Sequence, residues 1–214
     1  AKRLMLEQWK GHEFGQEKFQ NVLEWLREFS IQEASFYAFS RQNFNRPKVE
    51  FDFLMKIFRI MMNDLSNKQK LKENGIRLVF AGDLSLFPDD IAQSACELME
   101  QTKDHSDFRV NICFGYGGRE ELVRAIQHIA QDIENGKLAP EAIDEQVINE
   151  HLYISSEPDL IIRTGGEQRT SNFLPWQSTY SEWCFLDKMW PELDRDDIAQ
   201  CIDDYNKRER RFGK

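Results

Sequence analysis

The residues best suited to chemistry lie in one run near the C-terminal third of the chain. Arg163 is followed by Gly165 and Gly166, and Arg169 and Ser171 come six and eight residues after it. Glycine lets a backbone approach a ligand closely and adopt positive φ. A guanidinium presents a rigid fork of donors matched to phosphate oxygens, and a hydroxyl adds another. Two arginines and a serine on such a loop suit a diphosphate. The same spacing also describes a surface turn whose arginines pair with Glu167 and neighbouring acids, and a glycine-rich loop alone does not decide between the two.

Such a loop needs elements to hold it. The chain alternates helical and strand-like periods. Phe19, Val22, Leu23, Leu26 and Phe29 recur at helical spacing between Gly11 and Ser30, and Ala34–Phe39 is a short apolar run of the kind buried in a parallel sheet. Pro47 suits the start of a helix carrying Leu54, Ile57, Phe58, Met61, Met62 and Leu65, with Gly75 as its stop. Further strands are expected at Ile76–Ala81, Phe108–Phe114, Leu160–Ile162 and Trp183–Leu186. Further helices are expected at Pro88–Thr102, from Leu122 towards Gly136, at Pro140–Leu152 and from Asp194 onward. This alternation predicts an α/β protein with a central, mostly parallel sheet flanked by helices. No linker or repeat divides it, so residues 1–214 read as a single domain.

In open α/β sheets ligands bind beyond the carboxyl ends of the strands. Four junctions there are chemically rich: Ser40–Pro47, Gly82-Asp83, Gly115–Arg119 and Arg163–Phe173. Composition narrows the partners. With 28 basic and 37 acidic residues the net charge is −9, which argues against a general nucleic-acid binder. The 41% hydrophobic content supports a sizeable core and excludes disorder as the default. No apolar run reaches the ~20 residues of a membrane span and no signal segment opens the chain, so a cytoplasmic location is expected. Cys96, Cys113, Cys184 and Cys201 never form a Cys-x-x-Cys pair and sit in apolar stretches, so they read as structural thiols.

The run Asp159–Gln177, containing Arg163-Thr164-Gly165-Gly166-Glu167-Gln168-Arg169-Thr170-Ser171-Asn172-Phe173, closely resembles the signature of the cis-prenyltransferases, the undecaprenyl diphosphate synthase family. Tyr37–Pro47, Gly11-His12, Tyr116-Gly117-Gly118-Arg119, Tyr180-Ser181-Glu182 and Arg208–Gly213 resemble further family blocks, in order along the whole chain. The resemblance implies a sheet flanked by helices with an apolar tunnel, without dinucleotide-binding connectivity. It implies condensation of isopentenyl diphosphate with an allylic primer, farnesyl or geranylgeranyl diphosphate, with magnesium as cofactor. Electrostatic stabilisation of the departing diphosphate is then the largest catalytic contribution.

Carried over by motif, Arg163, Arg169, Thr170 and Ser171 are expected to hold the isopentenyl diphosphate group, and Glu182 the magnesium. His12 belongs to the allylic-diphosphate site. Ser40, Arg41, Gln42, Phe44 and Arg46 belong to the substrate block, with Asn43 as the catalytic position. An amide is no base at neutral pH, so Asn43 is expected to orient groups that act with diphosphate or water. Arg46 also fits a plain ion pair with Glu50, and Glu182 one with an arginine. The helix bearing Phe58 and Met62 would line the tunnel, although the same stripe describes ordinary core. Arg211 and Gly213 resemble a tail that reaches a partner's site, which implies a homodimer. A long product also implies transient membrane contact at the tunnel mouth for its release.

The family's first block, a strand ending in a magnesium-binding Asp-Gly-Asn, has no counterpart before Ala1-Lys2-Arg3, and a fragment lacking its start is the expected explanation. Gln8 and Phe44 stand where bacterial members tend to carry arginine and tryptophan. Two rivals follow from the resemblance: an irregular or short-chain coupling enzyme of the same fold, and a non-catalytic partner subunit. Retention of Arg163, Gly165, Gly166, Arg169 and Ser171 counts against the second.

Overall fold

A computed structural model describes residues 10–65, 71 and 73–208, the side chains of 10–17 excepted. The described residues form two compact units, one drawn from Ile31–Ser156 with Ser171–Trp176, the other from Ala1–Ser30, Glu157–Thr170 and Gln177–Lys214.

The first of these is built on a parallel sheet in the order β1 (Glu33–Ser40), β3 (Phe108–Tyr116), β2 (Ile76–Ala81). β3 lies between its neighbours and is buried along nearly its whole length, which is why its sequence reads as an apolar run rather than an alternation. Helices α2 (Lys48–Leu65), α3 (Asp89–Thr102), α4 (Gly118–Glu134) and α5 (Glu145–His151) belong to the same unit. The apolar stripe of α2 buries Leu54, Ile57, Phe58 and Met62. Phe58 meets Phe114 edge-on at 4.6 Å, and Phe114 stacks on Phe87 at 3.9 Å. Thr102 ties α3 to the sheet, its hydroxyl accepting from the Leu78 amide at 3.0 Å and donating to the Leu98 carbonyl at 2.8 Å. The helix expected over Pro140–Leu152 is two pieces, a 3-10 turn at Pro140–Ala142 and then α5. Asp144 starts the second, its carboxylate accepting from the Val147 amide at 2.9 Å.

The other unit holds α1 (Lys10–Glu28), α6 (Arg195–Lys207) and a parallel pair, β4 (Leu160–Arg163) and β5 (Glu182–Phe185). The parallel strands thus fall into two sheets among the described residues. Asp194 caps α6 by accepting from the Asp197 amide at 3.0 Å. Arg195 lies over the Phe29 ring at 4.8 Å and pairs with Glu28 at 2.7 Å. Two of the four cysteines are not the free thiols that spacing suggested. Cys184 on β5 and Cys201 on α6 form a disulfide with their Cα atoms 6.2 Å apart. A partner 17 residues away, on a different element, leaves no mark in a local sequence pattern.

Candidate functional site

In the β1–β3–β2 unit the carboxyl ends of all three strands carry the polar junctions noted above. β1 ends at Ser40 and runs into a 3-10 turn, Arg41–Asn45. The Asn43 side-chain carbonyl accepts from the Ser40 amide at 2.9 Å, so it closes this turn and leaves its NH2 group as a donor. Arg41 pairs with Asp83, just past β2, at 3.3 Å. Phe44 joins the aromatic core, edge-on to Phe39 at 4.9 Å and 5.0 Å from Phe87, so its apolar role needs no indole donor. Arg46 forms the alternative pair expected for it, with Glu50 one turn on.

Past β3, Gly117 and Gly118 open α4. The Ser171–Trp176 segment lies against that start: the Asn172 carbonyl accepts from the Gly118 amide at 2.9 Å, and its side-chain oxygen from the Arg119 amide at 2.9 Å. A Cβ on Gly118 would stand 2.0 Å from the Pro175 ring. Gly118→Ala is therefore expected to destabilise the unit by about 1–3 kcal/mol through overpacking, read as a lower midpoint in urea with an unchanged slope.

Two cavities open at these strand ends. One, of about 380 Å³, is lined by Arg41, Gln42, Phe44, Asn45, Leu86 and Glu120. The other, of about 650 Å³, presents Arg41, Arg119 and Arg124 together with Asp83, Glu120 and Tyr153. Arg124 lies over the Tyr153 ring at 4.3 Å and donates to the His151 carbonyl at 3.1 Å. Glu121 is buried at the cavity wall. Its carboxylate accepts from the Tyr116 hydroxyl at 2.5 Å and the Tyr153 amide at 2.8 Å. Burial and this carboxylate push the Tyr116 phenol far up, and burial pushes Tyr37 up to about 12. Asp83, Arg124 and Asn172 carried no assigned role in the sequence. The Gly82-Asp83 step after a strand was the visible signal for the first of them.

In the other unit, Arg163 ends β4. The chain then turns through Gly165 and Gly166 at φ 97° and 73°, values open to glycine and strained for other residues. Their amides donate to the Lys188 and Leu186 carbonyls at 2.8 and 2.9 Å, which extends the β4–β5 pairing past the strand ends. Arg163 donates to the Arg169 carbonyl, closing the loop on itself, and Arg169 pairs with Glu167 at 2.6 Å. Thr170 is exposed, as is Ser171, the first residue of the segment that belongs to the β1–β3–β2 unit.

Glu182 faces Leu160 in the ladder, three positions from Arg163. That separation is about 10 Å along the strand, with the two side chains on opposite faces. The Glu182 carboxylate accepts from Arg208 at 2.8 Å. Among the described residues no three acidic, histidine or cysteine side chains converge as a metal site. A lone carboxylate suits magnesium only when substrate phosphates and water supply most of its ligands. His12 lies in α1 with its side chain outside the described residues, as Arg211 and Gly213 are.

A family model described as "Putative undecaprenyl diphosphate synthase" matches residues 1–213. A tritrans,polycis-undecaprenyl-diphosphate synthase (geranylgeranyl-diphosphate specific) from Methanocaldococcus jannaschii is 41% identical over 208 residues, 95% of this chain and 74% of its own. An isoprenyl transferase from Streptococcus thermophilus is 42% identical over 219 residues, covering 100% of this chain and 87% of its own. The crystal structure of lavandulyl diphosphate synthase from Lavandula x intermedia in complex with dimethylallyl diphosphate matches with TM-score 0.93 at 32% identity. That match covers 100% of this chain and 92% of the solved one. With its strand ends and glycine–arginine loop laid out in this way, the chain belongs to the undecaprenyl diphosphate synthase family of prenyltransferases.

Proposed function

We propose that the chain condenses isopentenyl diphosphate with an allylic prenyl diphosphate to give a (poly)cis-prenyl diphosphate. The observation that carries this reading is the Arg163–Arg169 loop, two guanidinium groups on a turn with left-handed glycines, continued through Thr170 to Ser171. Arg163, Arg169, Thr170 and Ser171 hold the isopentenyl diphosphate group by charge-assisted hydrogen bonds. The allylic C–O bond breaks as diphosphate leaves. The isopentenyl double bond attacks the allylic carbon, and a proton leaves the isopentenyl unit. Ser40 and Asn43 orient that step beside Arg41, Gln42, Phe44 and Arg46, with diphosphate or water taking the proton, while His12 serves the allylic diphosphate.

Magnesium, when bound, supplies positive charge to the departing diphosphate. Glu182 would help to hold it, with substrate oxygens and water as the remaining ligands. Two chains form the working unit, each lending Arg211 and Gly213 to its partner, and the growing prenyl chain lies in an apolar tunnel beside α2. A long product is released through transient membrane contact at the tunnel mouth; no described helix is long and apolar enough to cross a membrane.

The M. jannaschii relative, named geranylgeranyl-diphosphate specific, favours geranylgeranyl diphosphate as primer over farnesyl diphosphate. The test is isopentenyl incorporation with both primers, with and without magnesium, and products sized by mass spectrometry. Magnesium-dependent chains are expected, and no incorporation from either primer sinks regular elongation. The lavandulyl diphosphate synthase match favours a second reading, irregular coupling on dimethylallyl diphosphate. A branched ten-carbon product from dimethylallyl diphosphate alone would establish it.

A further inference from the structure

The turn that carries Ser171 is held in an unfavourable backbone conformation. Ser171, Asn172 and Leu174 all have left-handed φ, at 49°, 63° and 45°. Asparagine tolerates that region; serine and leucine enter it only when their surroundings force them. The contacts that hold it in place include several from the β1–β3–β2 unit, to which Ser171–Trp176 belongs.

Asn172 grips three consecutive residues at the start of α4. Its carbonyl accepts from the Gly118 amide at 2.9 Å, its side-chain oxygen accepts from the Arg119 amide at 2.9 Å, and its side-chain NH2 donates to Glu120 at 3.0 Å. The first amides of a helix lack intrahelical acceptors, and Gly117, at the capping position, has no side chain to serve them. Asn172 fills that place from 53 residues along the chain. On the other side Tyr37 stacks on Phe173 at 4.9 Å, and its hydroxyl reaches the Ser171 carbonyl at 3.4 Å.

We infer that Asn172 is a positioning residue for the diphosphate segment, fixing the backbone of Ser171 by docking it on the N-terminus of α4. Asn172 itself need not touch substrate. The inference rests on the reading that Ser171 donates to the isopentenyl diphosphate group.

A double-mutant cycle tests it. Asn172→Gly keeps the left-handed backbone accessible and removes the side-chain cap; Ser171→Ala removes the donor. Each is expected to raise KM for isopentenyl diphosphate about ten-fold with a smaller change in kcat. The double variant should be no worse than Ser171→Ala alone, because a misplaced donor and an absent one have the same consequence. Effects that multiply in the double variant overturn the inference, since Asn172 would then act apart from Ser171. An unchanged KM in Ser171→Ala removes the substrate reading of Ser171, and the inference falls with it. A raised KM there beside an unchanged KM in Asn172→Gly overturns the positioning role alone.

If Asn172→Gly fails to fold, the same cycle is run with Asn172→Asp, which keeps the acceptor for Arg119 and sets two carboxylates together. Adding Glu120→Gln restores a donor between the two side chains and is expected to bring KM back to within about two-fold of the parent. A KM left raised by that pair counts against the clamp.

Discussion

Replacing Arg163 by alanine is expected to lower kcat/KM for isopentenyl diphosphate by about 10–100-fold, the loss that follows from removing a hydrogen-bond donor to a charged group. Two effects combine at this residue. The guanidinium is lost as a diphosphate donor, and the loop loses the bond from Arg163 to the Arg169 carbonyl that closes it. Arg163→Lys keeps the charge without the planar fork, so it should recover only part of the activity. Steady-state kinetics over both substrates separates the causes: a diphosphate donor on the isopentenyl side leaves KM for the allylic substrate nearly unchanged. Activity of Arg163→Ala within ten-fold of the parent would remove the loop from the proposed chemistry.

The largest expected effect on stability belongs to Phe58. It is buried on α2 and packs against Phe114 at 4.6 Å, Phe39 at 5.6 Å and Phe87 at 6.5 Å. Truncation to alanine removes the ring and leaves a cavity, a loss of about 3–5 kcal/mol. For a chain of this size that is a fall in Tm of roughly 6–20 °C. The same substitution separates two roles. If α2 also bounds the product, surviving Phe58→Ala enzyme makes longer prenyl chains than the parent, and Met62→Ala shifts them in the same direction. A large stability loss with an unchanged product distribution assigns Phe58 to the core alone.

What could be read from the chain depended on the range of the interaction. Ile76–Ala81 stands as expected to the residue, because a run between turn signals marks its own ends. Pro140–Leu152 misled because Pro140 and the apolar Ile143, Val147 and Leu152 fit one helix, whereas Asp144 restarts the chain within it. The strand-end rule located the polar junctions that line both cavities, so the region of the candidate site was legible. Its wiring was not. Arg41 with Asp83, Gly118 with Asn172 and Cys184 with Cys201 each join residues on separate elements, and nothing beside either member names the other. Resemblance supplied roles for Arg163, Arg169 and Ser171, whereas the docking of Asn172 on α4 needed coordinates.

The burial of Tyr37 and Tyr116 gives the molecule an optical signal of its own. An ordinary phenol ionises near pH 10. Tyr37 is held up to about 12 and Tyr116 higher still, so in the folded chain the absorbance step of phenolate formation near pH 10 is missing their share. Because the folded state retains protons that the unfolded state has released, stability falls as pH rises through the window from about 10 to 12. The missing absorbance should then appear together with unfolding, as one abrupt transition in place of a gradual titration. Both rings frame the Ser171 turn, Tyr37 by stacking on Phe173 and Tyr116 by meeting it edge-on at 6.3 Å. An ultraviolet spectrum taken during alkaline titration thus reports, without any label, whether that corner of the protein is intact.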